Sequence, residues 1–243
     1  MKGFTGGFAA FHIALSAGVV CLVVGWSGFI VVPLRRMEIM TIPEFYERRF
    51  GRGVRILGGL ILALSGILNM GMFLKAGSIF VVEVTGLEDN TIKWVMTALL
   101  TLVLFYTILG GMFSIVLTDY VQFVVLSVGL IVTTLFALNE LGWEHIVKGV
   151  ESLKGEGGFD PIASGEFGTD YVIWMVFGGL VSCAIWQTAV MRACAAHSAE
   201  DVKRIYTWSS IGFLIRFLIP NFIGLCALVY FADNPDLFSE DPE

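Results

Sequence analysis

Charge is what this sequence has least of. Asp, Glu, Lys and Arg make up 15% of its 243 residues, against about 25% in an ordinary globular chain. The net charge of −6 and the isoelectric point near 5.1 leave no excess of basic residues for nucleic acid, so no nucleic-acid partner is expected. Cysteines are few. Cys21, Cys183, Cys194 and Cys226 lie in or beside apolar runs without CxxC or metal-ligand spacing, which reads as small apolar side chains rather than a disulfide scaffold. The three histidines, His12, His145 and His197, fall in different segments. HExxH, G-x-S-x-G and Walker A patterns are all missing, so the chain does not read as an enzyme or an ATP-driven pump.

What is plentiful is apolar surface, with 56% of residues hydrophobic. A soluble fold of this length cannot hide that much, because its surface is too large for its volume. An all-α integral membrane protein in a lipid bilayer is therefore expected. Long uninterrupted runs favour spanning helices over a barrel, whose strands would alternate with period two. Six transmembrane helices are predicted, over about 8–34, 56–85, 92–109, 112–138, 170–191 and 206–232. The first is too long for a signal peptide, and Arg35 and Arg36 follow it instead of preceding it. The third and fourth share one long apolar stretch, which Gly110-Gly111 divides. The segments 35–55 and 139–169 read as a basic loop and a polar, glycine-rich loop, and the tail from Asn234 reads as a loop as well. Arg35, Arg36, Arg48, Arg49, Arg52, Arg55, Arg192, Lys203 and Arg204 gather on one side of this arrangement. The positive-inside rule makes that side cytoplasmic and places both termini of the chain outside.

Polar groups inside spans are costly in hydrocarbon and point to function. Arg216 lies about 15 Å into the sixth span, too deep to snorkel comfortably. It either pairs with another helix or lines a polar cavity. Pro220, four residues on, frees a backbone carbonyl and fits the cavity. Asp119, about 10 Å into the fourth span, sits in an ion vestibule or pairs near the interface. Lys75 and Glu83 are close enough to a helix end to reach water. Asn69 is mid-span between Gly66 and Gly71, where an interhelical hydrogen bond competes with cavity lining. Gly178, Gly179, Ser182 and Gln187 cluster in the fifth span. Local unwinding around a binding cavity and close helix packing both account for them.

Three motifs carry a resemblance. TIPEFYERRFGRGVR (41–55), GGMFSIVLTDYVQF (110–123) and WQTAVMRACAAHSAEDVKR (186–204) resemble, in order and spacing, signature segments of the sodium/solute symporter family. The similarity runs over essentially the whole chain. It implies a LeuT-like fold of five-plus-five inverted repeats, with solute bound at the midplane between discontinuous helices. It also implies Na+ as the coupling ion and a small organic solute, such as a sugar, amino acid, carboxylate or vitamin, as cargo, in the inner or plasma membrane. Asn69 falls where sugar-carrying members place a substrate-binding asparagine. Arg216 replaces their usual lysine, a departure that favours carboxylate recognition. Ser182 and Cys183 stand where sugar carriers use an aromatic gate. Asp119 matches an aspartate on the sodium exit route, and Gln187 matches the motif glutamine. The resemblance makes the chain a single transmembrane transporter domain, 1–243, expected to be incomplete. MKGFTGG corresponds to the end of the first core helix, and the helix bearing the serine/threonine sodium ligands is missing, so no metal ligand is assigned. A transporter-like membrane sensor domain of a signalling protein is the alternative.

Overall fold

The computed structural model describes residues 2–235, apart from the side chains at 112–114, 188 and 192. The tail read as a loop lies outside them beyond residue 235, as does the side chain of Arg192. No strand occurs among the described residues. In chain order the helices are α1 (Lys2–Gly6), α2 (Phe11–Ser27), α3 (Val31–Arg36), α4 (Ile42–Phe50), α5 (Arg52–Thr85), α6 (Ile92–Leu141), α7 (Trp143–Lys154), α8 (Thr169–Ile185), α9 (Gln187–Ala195) and α10 (Ala199–Asp233). Five stretches are long and apolar enough to cross a membrane: Lys2–Ser27, Arg52–Thr85, Asp89–Gly111, Ile115–Leu141 and Ala199–Asp233. The predicted span over 170–191 is instead a pair of helices bent by 52°, and the number of crossings is six only if that pair counts as one.

Several boundaries differ from the sequence expectation, each for a local reason. The first span ends at Ser27 rather than 34. Gly28 there takes the left-handed conformation (φ 67) and donates its N–H to the Val24 carbonyl, an arrangement that ends helices and suits glycine. The last span starts at Ala199, well before 206. The Ser198 hydroxyl accepts a hydrogen bond from the Asp201 N–H at 3.1 Å and caps the helix. The loop over 35–55 contains α4, whose Glu44 pairs with Arg48 at 2.6 Å one turn on. The loop over 139–169 contains α7, whose Ile146 and Val150 recur at helical spacing and are fully buried. The break expected at Gly110-Gly111 is present. Gly111 adopts φ 53, ψ −147 inside α6, a backbone state that is essentially glycine's alone.

The chain forms two compact units, Met1–Ile42 with Val128–Glu243, and Pro43–Ser127. In the larger, α2 packs against both α10 and α8. Gly25 brings backbone to backbone, for a Cβ there would lie 2.4 Å from the Thr207 nitrogen. Gly18 repeats the approach seven residues earlier, where a Cβ would sit 3.2 Å from Leu214 Cβ. Val20, Cys21 and Val24 of α2 join Val31, Ala193, Val202 and Tyr206 in one buried cluster. The Cys21 thiol donates to the Tyr206 carbonyl at 3.2 Å. A second cluster joins Ile146 and Val150 of α7 to Phe222, Leu225, Cys226 and Val229 of α10. In the smaller unit, Tyr46 of α4 lies over Gly58 of α5. Most of α5 is exposed and apolar, as with Leu60, Leu64, Ile67 and Phe73, while Ser78 and Val82 toward its end are buried. So much exposed apolar surface is the pattern of a helix meant for hydrocarbon or other helices rather than water.

Lipid tails are as apolar as leucine, so close approach through small residues, not removal of surface from water, holds such helices together. In the full-length protein, Gly25→Ala is expected to cost about 1–3 kcal/mol by wedging α2 from α10. Gly212→Ala, where nothing lies within 4 Å, is expected to be neutral or stabilising by up to about 1 kcal/mol. Thermal unfolding of the two variants in one detergent checks the contrast.

Candidate functional site

The helix break that matters is not where the glycines are. α8 stays helical through Gly178, Gly179 and Ser182, and the unwinding lies at the Gln187 end of that cluster. Gly179 lies against Val20 of α2, where a Cβ would make ordinary contact at 3.5 Å, which agrees with close packing. The chain leaves the helix at Trp186 (φ −71, ψ 104) and re-enters it as α9 at Gln187. The Trp186 N–H still reaches the Ser182 carbonyl at 2.9 Å, and its own carbonyl accepts from Ala189 and Val190 at 3.1 Å. A break of this kind leaves the other end groups of both helices without intrahelical partners, and such groups bind ions and solutes inside membranes. Gln187 is the first residue after the break. Its side-chain carbonyl accepts the Ile42 N–H at 3.1 Å and so anchors the start of α4. Ser182 is exposed on α8.

Arg216 lies midway along α10 on an exposed position, its guanidinium 6.0 Å from the Phe217 ring. Within its unit it makes no ion pair among the described residues. Pro220 sits inside the helix. Having no N–H, it leaves the Arg216 carbonyl without its usual partner, so a cation and a free carbonyl issue from one residue. Asn221, next in sequence, escaped the sequence reading. It is buried, donates from Nδ2 to the Phe217 carbonyl at 2.9 Å and accepts the Gly3 N–H on Oδ1 at 3.0 Å. It thereby ties α1 to the proline turn, and Gly3 is needed because a Cβ would collide with the Asn221 carbonyl at 1.8 Å. An amide directly after a mid-span proline was the available signal.

Asn69 is half-buried midway along α5, and Gly66 and Gly71 beside it have nothing within 4 Å. Asp119 is exposed on α6, about 12 Å beyond the Gly111 kink at helical rise. These two belong to the smaller unit, whereas Ser182, Gln187 and Arg216 belong to the larger. No hydrogen bond among the described residues joins Ser182, Gln187 and Arg216 to one another. A groove of about 500 Å³ between Trp94 and Phe105 is lined by one face of α6 alone, the furrow between side chains of a single helix rather than a site.

The sodium:solute symporter family matches residues 2–242. The chain belongs to that family. Members of the sodium:solute symporter family are transporters, not enzymes. The chain is similar to sodium/glucose cotransporter 1 of Mus musculus, with 34% identity over 240 residues, covering 83% of this chain and 34% of the relative. Solute carrier family 5 member 4A of the same species is 34% identical over 149 residues, covering 58% of this chain and 22% of the relative. A putative sodium-dependent multivitamin transporter of Drosophila melanogaster is 24% identical over 214 residues, covering 85% and 35%. The chain thus spans about a third, or less, of the length of these relatives.

Within this chain, the segment before α8 holds the start of α1 in place. Lys2 Nζ donates to Glu166 Oε1 at 2.5 Å and lies 5.9 Å from the Phe167 and Tyr171 ring centres. Those two rings also pack edge-on around His12, whose Nδ1–H donates to the Ala9 carbonyl at 2.6 Å. The Lys2 hydrogen bond holds the Glu166 carboxyl below its ordinary value of 4.5. Because the folded-state value is depressed, the stabilisation is complete above about 4.5 and is lost as pH falls through the lower folded value. Protection of the α1 amides, that is exchange corrected for its intrinsic pH dependence, is expected to fall below pH 4.5 in the native protein and to be low and unchanged across that range in Glu166→Gln.

Proposed function

We propose that this chain is part of a sodium-coupled secondary transporter that moves a small organic solute across the inner or plasma membrane by alternating access. The family match over residues 2–242 carries the reading. The broken pair α8–α9 supports it, since discontinuous helices are how such proteins present backbone groups to solute and ion at mid-depth, and Pro220 frees one further carbonyl within the continuous α10. The fold we assign is the LeuT-like inverted repeat. The chain supplies one transmembrane domain in part, with its basic segments facing the cytoplasm and both of its ends outside.

In this reading Arg216 and Asn69 line the solute cavity, Ser182 and Gln187 border it at the α8–α9 break, and Asp119 lies on the route by which Na+ leaves. Arg216 directs the choice of solute. A guanidinium on an exposed position midway along a membrane helix is matched by a carboxylate, which it holds through two parallel hydrogen bonds. A small monocarboxylate is therefore the first class of solute we assign, ahead of a neutral hexose. Sodium and solute each bias the same conformational equilibrium, and that shared bias is the coupling.

Full-length protein reconstituted in liposomes is expected to accumulate monocarboxylates under an inward Na+ gradient and not under an equimolar K+ gradient. Uptake indifferent to sodium overturns the coupling, and hexose uptake without monocarboxylate uptake overturns the assigned class. Arg216→Ala is expected to raise KM for the carboxylate roughly tenfold or more, with Arg216→Lys recovering only part of the loss.

A further inference from the structure

Where the apolar run of α2 ends, the chain makes a hollow that the transport reading does not use. Gly28 turns there in the left-handed conformation, and its missing Cβ makes room for a neighbour. A Cβ at Gly28 would lie 3.1 Å from Lys203 Cδ and 3.2 Å from Lys203 Cγ. The stem of Lys203 therefore rests on the turn. The adjoining hollow, about 380 Å³, has Ser27, Phe29, Arg36, Glu200 and Lys203 in its walls. All of these residues belong to the larger unit.

Its charges are unevenly satisfied. Arg35, next to the hollow, is committed to the Ala196 and His197 carbonyls at 2.9 and 3.4 Å. Glu200 has Arg204 at 3.9 Å. Arg36 and Lys203 make neither an ion pair nor a side-chain hydrogen bond among the described residues. Two cations without an ion-pair partner thus share one hollow with the Glu200 carboxylate, itself facing Arg204, and with the first residues of α10, a 35-residue helix whose positive end is here. Phe29, in the wall of the hollow, is 66% exposed, and Trp26, which precedes Ser27 in the chain, is 77% exposed. Aromatic side chains of this kind settle at the level of lipid headgroups.

We propose that this hollow binds the phosphate of an anionic phospholipid from the leaflet on the arginine-rich side, with Arg36 and Lys203 holding the phosphate. Trp26, Phe29 and Val32 lie along the upper part of the acyl chains. The exposed aromatics select a lipid over free phosphate, because a small soluble anion gains nothing from them.

The test uses full-length protein in phosphatidylcholine vesicles containing a few per cent spin-labelled phosphatidylglycerol or, separately, spin-labelled phosphatidylcholine. The native protein is expected to immobilise the phosphatidylglycerol label preferentially. That preference should fall about fivefold for each charge removed in Arg36→Gln and Lys203→Gln. The charge-preserving pair Arg36→Lys with Lys203→Arg is expected to keep it, which separates lost charge from lost folding. Arg55→Gln, whose partner is Glu47 on α4, is expected to change nothing. Equal immobilisation of the two lipids, or a preference that survives the double Gln variant, overturns the site. Displacement of the label by millimolar inorganic phosphate overturns the lipid as its occupant.

Discussion

The larger unit depends on one contact, the place where the backbone of α2 meets the backbone of α10 at Gly25. In water, burying valines and leucines would suffice to join two helices. In hydrocarbon it does not, because lipid offers an apolar side chain the same surroundings as another helix. What remains is packing at short range, and only glycine admits the separation at which many atoms of two backbones come within dispersion distance. α8 then attaches to α2 through Val20 and Gly179. The far half of α10 serves α7 through Phe222, Leu225 and Val229. α1 returns to the same helix through the Asn221 amide.

Three interruptions punctuate the helices, and each has its own chemistry. Gly111 breaks α6 by a conformation other residues avoid. Trp186 breaks between α8 and α9 by an extended residue. Pro220 leaves α10 continuous but removes one donor. Hydrocarbon cannot satisfy the backbone groups so released, so irregular segments persist only where protein or a watery cavity takes them up. The Trp186 break and the Pro220 turn both fall in helices of the larger unit, one beside Gln187 and the other beside Arg216.

Much of this was legible beforehand. Runs of apolar residues located the long helices, and Gly110-Gly111 located the kink in α6, because both are properties of neighbouring residues. The fifth span was legible only in part: its small residues left unwinding and close packing both open, Gly179 serves contact with α2, and the break lies beside Gln187 at a tryptophan with no breaker signature. Gln187 stood out as the motif glutamine and as a polar group beside a candidate cavity, and its visible hydrogen bond goes to the Ile42 N–H. Ser198 with Asp201 three residues on was a cap signal that would have moved the start of α10 to its observed position.

The sequence by itself determined that this chain belongs in a bilayer, roughly where its long apolar helices run, and to which family it belongs. Those follow from local composition and short ordered motifs. Only the tertiary structure decided which glycines are contacts and which are turns, that Asn221 braces the proline turn, and that Lys203 lies across Gly28 toward Arg36. Each of those pairs residues more than 150 positions apart, or weighs one glycine against another by what stands opposite it. A one-dimensional pattern records neighbours along the chain, and the missing Cβ of a glycine has meaning only once the atom facing it is known.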